Sequence, residues 1–225
     1  MLVMDWMCKE VIMVDADDSM QDAMKLLKDH DIKMLPVMAK QKLVGIVTDR
    51  DLKRSSASDA TTLEIHELLY LISNIKVKEI MTKNPITVQV DFTVEETAQV
   101  LLKNKISGAP VVDPKGNIVG TITKEDLFRA IISLTGVDQK GVQFALQSED
   151  RPGSITELIN IIREYDGRIM SILSSIEHAP EGFRRVYIRT YDIDRRCMEN
   201  LKNALSKKAK ILYWVDHREN KRMIY

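Results

Sequence analysis

The sequence predicts a mixed α+β fold: two β-α-β-β-α repeats that form a pseudo-symmetric pair, followed by a smaller βαββαβ unit. Three observations lead there. The 225-residue chain repeats itself at an offset of 74 or 75 positions, so that Val3 falls on Val77, Met7 on Met81, Val14 on Val88, Leu27 on Leu101, Pro36 on Pro110, Gly45 on Gly120, Thr48 on Thr123 and Asp51 on Asp126. Within each copy the apolar spacing switches between strand and helix periods in the same order. Beyond Lys140 the repeat stops, and strands and helices alternate in a different sequence.

Each element has a local cause. Ile12, Met13 and Val14 form a short apolar run and read as a strand. Met20, Ala23, Met24 and Leu27 then recur at helical spacing behind Ser19 and Asp22, the pattern of a capping box. Leu35 to Met38 and Leu43 to Val47 are apolar stretches separated by polar "AKQK", which predicts a hairpin, and Thr48 opens the next helix. The second copy follows suit: Thr93 caps a helix carrying Val94, Ala98 and Leu101, "APVV" and "IVGTI" flank a Gly-Asn turn, and a helix runs from Thr123 to about Leu134. The offset grows by one in the second hairpin, whose Asp113 to Asn117 turn holds an extra residue. An insertion in a turn leaves the flanking strands in register.

Between the copies, "SSASDATT" has the polarity of a loop, and Leu63 to Ile72 has the stride of an amphipathic covering helix. From Gly141 the order is strand, loop, helix, strand, strand, helix, strand. Ile155, Leu158, Ile159 and Ile162 make the first helical stripe, and Val186, Ile188 and Thr190 alternate with polar neighbours. This is the ferredoxin-like split arrangement. The boundaries are 1–56 for the first repeat, 57–75 for the linker and helix, 76–136 for the second repeat, 140–217 for the third unit and 218–225 for a tail.

Composition narrows the function. Lys plus Arg and Asp plus Glu both number 33, so no net field draws the chain to nucleic acid or to an anionic membrane. Cys8 and Cys197 lie far apart with no CxxC and no adjacent His, which fits a reducing compartment and offers neither a disulfide framework nor a metal site. His30, His66, His178 and His217 show no metal-ligand spacing. No apolar run approaches a bilayer span, and Asp5, Lys9 and Glu10 interrupt the N-terminus, so a cytoplasmic protein is expected.

The series "IMT…P-I-T-V", "ISGAPVVD", "IVGTITKEDL" resembles the cystathionine-β-synthase (CBS) domain, and the doubled unit over about Val3 to Gly136 resembles a Bateman module. The first copy departs in detail, with Cys8 for Thr82, Val11 for Pro85 and "KMLP" for "SGAP". The resemblance implies adenosine-ligand binding in clefts between the repeats. There the Asp of a T-x-x-D motif holds ribose hydroxyls, the Thr meets phosphate, and backbone near the proline strand meets adenine. Thr48, Asp51, Pro36, Ile46 and Arg50 are the corresponding candidates in the first copy, and Thr82, Pro110, Ile122, Thr123 and Asp126 in the second. The chemistry is sound: a carboxylate accepts two vicinal hydroxyl hydrogen bonds, and a helix N-terminus offers free N–H groups to an anion. Arg50, Lys53 and Arg54 after the first motif favour phosphate there. T-x-x-D is also an ordinary capping box, and Ser19, Ser56, Thr61, Thr93 and Ser154 begin tetrads of the same kind.

The last unit, with Asp150-Arg151-Pro152-Gly153-Ser154 at its first strand-to-helix turn, resembles the ACT domain. Such domains bind amino acids or related small metabolites where subunits meet. The implied ligand or interface residues are Asp150, Gly153, whose missing Cβ permits close approach, and Arg168, which stands where the family has Asn. A CBS pair followed by an ACT unit is similar to acetoin utilisation protein B-like proteins.

Three function classes follow. The first is a non-catalytic sensor of AMP, ADP or ATP, with a possible amino acid at the ACT unit, that modulates an unidentified partner enzyme in acetoin or related carbon metabolism. The second is a structural or assembly module with decayed sites. The third is a nucleotide-processing enzyme, which the absence of a Walker A loop, GxSxG, HExxH or Cys-His pair disfavours; no catalytic cofactor is expected. Exposed edge strands in the last sheet predict a homodimer.

Overall fold

A computed structural model describes residues 1–59 and 73–225. The helix expected over Leu63 to Ile72 lies outside the described residues. The chain divides into two compact units, Met1–Phe128 and Arg129–Tyr225.

In the first unit the first repeat runs β1 (Val14–Asp15), α1 (Met20–Asp29), β2 (Met34–Ala39), β3 (Lys42–Thr48) and α2 (Asp49–Asp59). A short helix α3 (Val77–Ile80) and β4 (Thr82–Lys83) lead into the second, which runs β5 (Val88–Gln89), α4 (Val94–Lys103), β6 (Gly108–Val112), β7 (Ile118–Thr123) and α5 (Lys124–Thr135). The first strand is shorter than the apolar run predicts: it holds Val14 and Asp15 and leaves out Ile12 and Met13. Both helices after the first strands carry the expected capping boxes, Ser19 with Asp22 and Thr93 with Glu96. Met20, Ala23 and Leu27 of α1, Leu35 and Val37 of β2, Val47 of β3 and Leu52 of α2 form one buried cluster.

The repeats exchange their leading segments. The β1-β2-β3 sheet is completed by β4, in the order β1-β2-β3-β4, with Thr82 opposite Ile46. Cys8 makes the equivalent antiparallel bridge to Thr121 on the β5-β6-β7 sheet. The two-fold relation extends to single hydrogen bonds. The Val3 N–H donates to the Phe92 carbonyl at 2.8 Å and the Val77 N–H to the Asp18 carbonyl at 3.0 Å, while Val94 donates to Met1 at 2.9 Å and Met20 to Ile75 at 2.8 Å. Gly45 and Gly120 make room for the crossings. A Cβ on Gly120 would stand 2.5 Å from Met7 Sδ and 2.9 Å from the Cys8 carbonyl, and one on Gly45 would collide with Met81 in the same way.

The second unit runs β8 (Val142–Glu149), α6 (Ser154–Glu164), β9 (Arg168–Ser175), β10 (Phe183–Tyr191), α7 (Met198–Ser206), β11 (Lys210–Asp216) and β12 (Lys221–Ile224). Its strand order is β12-β11-β8-β10-β9, antiparallel throughout. The βαββαβ order read from the sequence is therefore present. Residues 218–225, expected as a tail, include β12, which pairs with β11 through Tyr213–Ile224 to Asp216–Lys221. Strand alternation sends Val142, Phe144, Leu146, Val186 and Ile188 to one face, where they pack with Leu158, Ile162, Leu201 and Leu205 of the two helices. Trp214 joins this core beneath the Lys202 ammonium, 4.9 Å from the ring centroid, while Tyr213 is half-buried. No helix among the described residues is long and apolar enough to cross a membrane.

Candidate functional site

The two T-x-x-D motifs occupy equivalent places, each where the last strand of a repeat turns into its closing helix. Asp51 Oδ2 accepts hydrogen bonds from the Thr48 N–H at 3.0 Å and the Thr48 hydroxyl at 2.6 Å, and the Asp51 N–H donates back to Thr48 Oγ1 at 3.3 Å. In the second copy the same three bonds measure 2.7, 2.7 and 3.4 Å between Thr123 and Asp126. Both motifs are thus capping boxes in geometry. In each motif a single carboxylate oxygen, Oδ2, takes both cap bonds. Asp51 Oδ1 faces the Arg54 guanidinium at 3.6 Å, with the carboxylate side chain 14% exposed. Asp126 is 4% exposed.

Of the other candidates, Pro36 and Ile46 face one another in the β2–β3 register, and Thr82, brought over from the second copy, pairs with Ile46 on its other side. Pro36, Ile46 and Thr82 therefore lie level across three neighbouring strands, Thr48 follows two residues along β3 and bonds to Asp51, and Arg50 is exposed in the first turn of α2. In the second copy Pro110 pairs with Thr121. Ile122 does not join that group: it is fully buried, because the offset of 75 places it on inward-facing Val47, and Thr121 holds the position of Ile46. Cys8, opposite Thr121, is the counterpart of Thr82. Its position was visible in the repeat alignment, although its cross-repeat pairing was not.

The surroundings of the two motifs differ. Lys33 reaches from the first repeat to Glu125 in the first turn of α5, at 3.5 Å. The Glu125 carboxyl is held below the usual range first by a hydrogen bond from its own N–H; burial opposes this, and the Lys33 ammonium and the Thr123 hydroxyl add smaller lowering effects. Arg50 stands at the equivalent position after Thr48. Met34 presses its terminal methyl toward Gly108, where a Cβ would lie 3.3 Å from Met34 Cε and 3.2 Å from Thr123 Cγ2. A separate open cavity of about 720 Å³ lies between the two hairpin turns, lined by Lys40, Lys42, Asn84, Pro85, Lys115 and Asn117 among others, and contains neither motif.

In the second unit Asp150 is engaged by Arg184, whose Nε donates to Asp150 Oδ1 at 2.8 Å. Gly153 adopts φ 85° at the start of α6, with open space around its Cβ position, and Arg168 opens β9 with Asp192 at 3.8 Å. These three residues are therefore dispersed between the first turn and the edge strand. Among the described residues no cluster of His, Cys, Asp and Glu fits a metal ion.

A two-fold pair of small modules, sharing strands across the pair and presenting one strand-to-helix carboxylate each, defines the class of the first unit. Residues 3–58 and 77–133 match the CBS domain family, and the chain belongs to it. It is 37% identical over 122 residues to an inosine-5′-monophosphate dehydrogenase of Korarchaeum cryptofilum, a match covering 53% of this chain and 22% of the dehydrogenase. It is 30% identical over 155 residues to the uncharacterized protein MJ1426 of Methanocaldococcus jannaschii, covering 59% of this chain and 92% of that protein. Among solved structures it is similar to the CBS domain pair of protein MJ0100 in complex with 5′-methylthioadenosine and S-adenosyl-L-methionine. That likeness has 34% identity and a TM-score of 0.50, over 58% of this chain and 99% of the other. The chain thus spans under a quarter of the dehydrogenase and nearly all of MJ1426 and of the MJ0100 pair.

Proposed function

We propose that this protein is a non-catalytic regulatory protein whose CBS pair binds an adenosine ligand, with AMP, ADP and ATP the first candidates, and whose occupancy is read by a partner enzyme. The carrying observation is the pair of equivalent strand-to-helix carboxylates, Asp51 and Asp126, each beside a helix N-terminus in a family whose MJ0100 member holds two adenosine derivatives. Asp51 and Asp126 would accept the ribose hydroxyls, Thr48 and Thr123 would meet the 5′ group, and Pro36, Ile46 and Thr82, with Pro110 in the second copy, would border adenine. Arg50 gives the first cleft its affinity for phosphate. A ligand regulates only if it binds two conformations unequally, and a coupling of roughly 1–3 kcal/mol suffices.

The boundaries 1–56, 57–75, 76–136 and 140–217 describe this organisation, with residues 140–217 as an ACT-type unit of the acetoin utilisation B-like kind. We assign to that unit the pairing of two chains along the exposed edge of β9 or β12, which makes the protein a homodimer. A thermal-shift panel of AMP, ADP, ATP, S-adenosylmethionine and 5′-methylthioadenosine tests the reading. A binder present at 100 times its Kd adds about 2.7 kcal/mol of stability. A flat response to the whole panel would instead favour an assembly module with decayed sites, and multiple-turnover release of phosphate or adenine would make it an enzyme.

A further inference from the structure

The two clefts are built on one plan yet carry opposite charges at the same place. Thr48 is followed by Asp49 and Arg50, and Thr123 by Lys124 and Glu125. Asp49 is drawn along α2 to Lys53, four residues on, at 2.7 Å, while Arg50 stands exposed in the first turn. In the second copy Lys124 is half-buried and the exposed residue of the first turn is Glu125. Its carboxylate turns back to its own N–H, one of the free N–H groups that the start of a helix offers to an anion. The start of α5 therefore holds a negative charge where the start of α2 holds a positive one.

Across the repeats one cation answers Glu125. Lys33 Nζ lies 3.5 Å from Glu125 Oε1, and the residue equivalent to Lys33 in the second copy is Ser107. Both partners are exposed, so the pair adds little stability; its effect is to engage the cation that would otherwise attract an anion to Thr123. The two motifs also stand close together. Met34 is opposite Thr48 in the β2–β3 register, and Gly108 is opposite Thr123 in the β6–β7 register. A Cβ on Gly108 would lie 3.3 Å from Met34 Cε and 3.2 Å from Thr123 Cγ2. The Met34 side chain thus spans from one motif to the other, and two phosphates at Thr48 and Thr123 would face each other across it, which like-charge repulsion disfavours.

We propose that the two clefts hold unlike adenosine ligands: a 5′-phosphorylated one beside Thr48 and Arg50, and one whose 5′ group bears no negative charge beside Thr123, with Glu125 as the residue that sets the choice. The inference rests on the reading of Asp51 and Asp126 as ribose acceptors and adds to it what each cleft selects. A carboxylate at the 5′ end repels a phosphate and leaves an uncharged group such as a thioether unopposed. Met34 offers that group a soft apolar surface.

The test is titration calorimetry on the full-length protein with AMP and 5′-methylthioadenosine. Each cleft is silenced in turn by Asp51→Ala or Asp126→Ala, and each variant is checked for folding by circular dichroism. Asp126→Ala, which keeps the first cleft, is expected to prefer AMP, and Asp51→Ala, which keeps the second, to prefer 5′-methylthioadenosine. Adding Glu125→Gln to Asp51→Ala is expected to tighten AMP binding about tenfold and to change 5′-methylthioadenosine binding less than about twofold. The wild-type protein gives a reading that needs no silenced cleft: once AMP has filled one cleft, 5′-methylthioadenosine is expected to bind without displacing it. The same preference in both single-cleft proteins, no response to Glu125→Gln, or displacement of AMP in the wild type overturns the choice and leaves the adenosine reading standing. A wild-type protein that binds neither ligand removes the adenosine reading itself, and this inference with it.

Discussion

Replacing Asp51 separates two roles that the geometry has placed on one side chain. Its Oδ2 holds the start of α2 through the Thr48 N–H and hydroxyl at 3.0 and 2.6 Å. Losing a helix cap costs about 1 kcal/mol. If the same carboxylate also accepts ribose hydroxyls, those are hydrogen bonds to a charged group, worth about 1.5–3 kcal/mol, or roughly 10- to 150-fold in Kd. Asp51→Ala should therefore lose about 1 kcal/mol in urea unfolding and at least tenfold in AMP affinity by titration calorimetry. Asp51→Asn keeps an oxygen for the cap and gives up the charge. Its stability should stay near that of the wild type while its affinity falls nearly as far as in the alanine variant. If Asp51→Ala and Asp126→Ala unfold more easily yet bind AMP unchanged, the motifs are caps alone and the ribose assignment is wrong.

Four further outcomes follow from the packing. Arg195 clasps Asp216 with Nε and Nη2 at 2.9 and 3.1 Å, and the Asp216 side chain is 2% exposed; Arg195→Ala should cost about 3–5 kcal/mol in unfolding of the second unit, by stranding that charge. Burial raises the Asp216 carboxyl, but Arg195 and the N–H groups of Arg218 and Glu219 outweigh it and leave it lowered. Its contribution is thus complete above the ordinary carboxylate pKa of about 3.9 and is lost as pH falls below it, a loss that acid titration of Asp216→Asn should lack. His217, lowered by burial and by the Arg189 and Arg222 charges, binds its proton more weakly when folded. Stability should therefore fall as pH drops below about 6.5, and His217→Gln should flatten that slope in denaturant melts. Gly120→Val would drive side-chain atoms into Met7 and the Cys8 carbonyl, and should cost about 1–3 kcal/mol by thermal unfolding.

The repeat made much of the first unit legible. Two copies of the same local code supply the same strands, caps and strand-to-helix turns, so Thr48 and Thr123 could be placed by comparison with each other. What comparison along the chain cannot supply is pairing across it. The bridges from Thr82 to Ile46 and from Cys8 to Thr121 join residues whose side-chain types say nothing of their partners. Ile122 is buried at the position equivalent to Val47, while Thr121 aligns with Ile46, because a single inserted residue shifts the offset and a shift of one turns a strand side chain over. The tetrad Ser154 to Glu157 reads as a cap, yet Gly153 takes the cap position at φ 85° while Glu157 turns to Arg151 at 2.8 Å. β12 escaped notice because its residues are exposed and polar or terminal, leaving no inward alternation to detect. Arg189, 5% exposed on β10, was equally hidden: a buried arginine on a strand looks in sequence like any surface one.

The exchanged leading segments bear on how the chain matures on the ribosome. Met7 and Cys8 are synthesised more than a hundred residues before their seat beside Gly120 and Thr121 is made. Until then this leading segment has nowhere to dock, and the earlier half waits for β4 to close its sheet. Long-range closures of this kind slow folding. The same exchange means that a separately expressed half would lack its closing strand and would be prone to pair with another copy of itself.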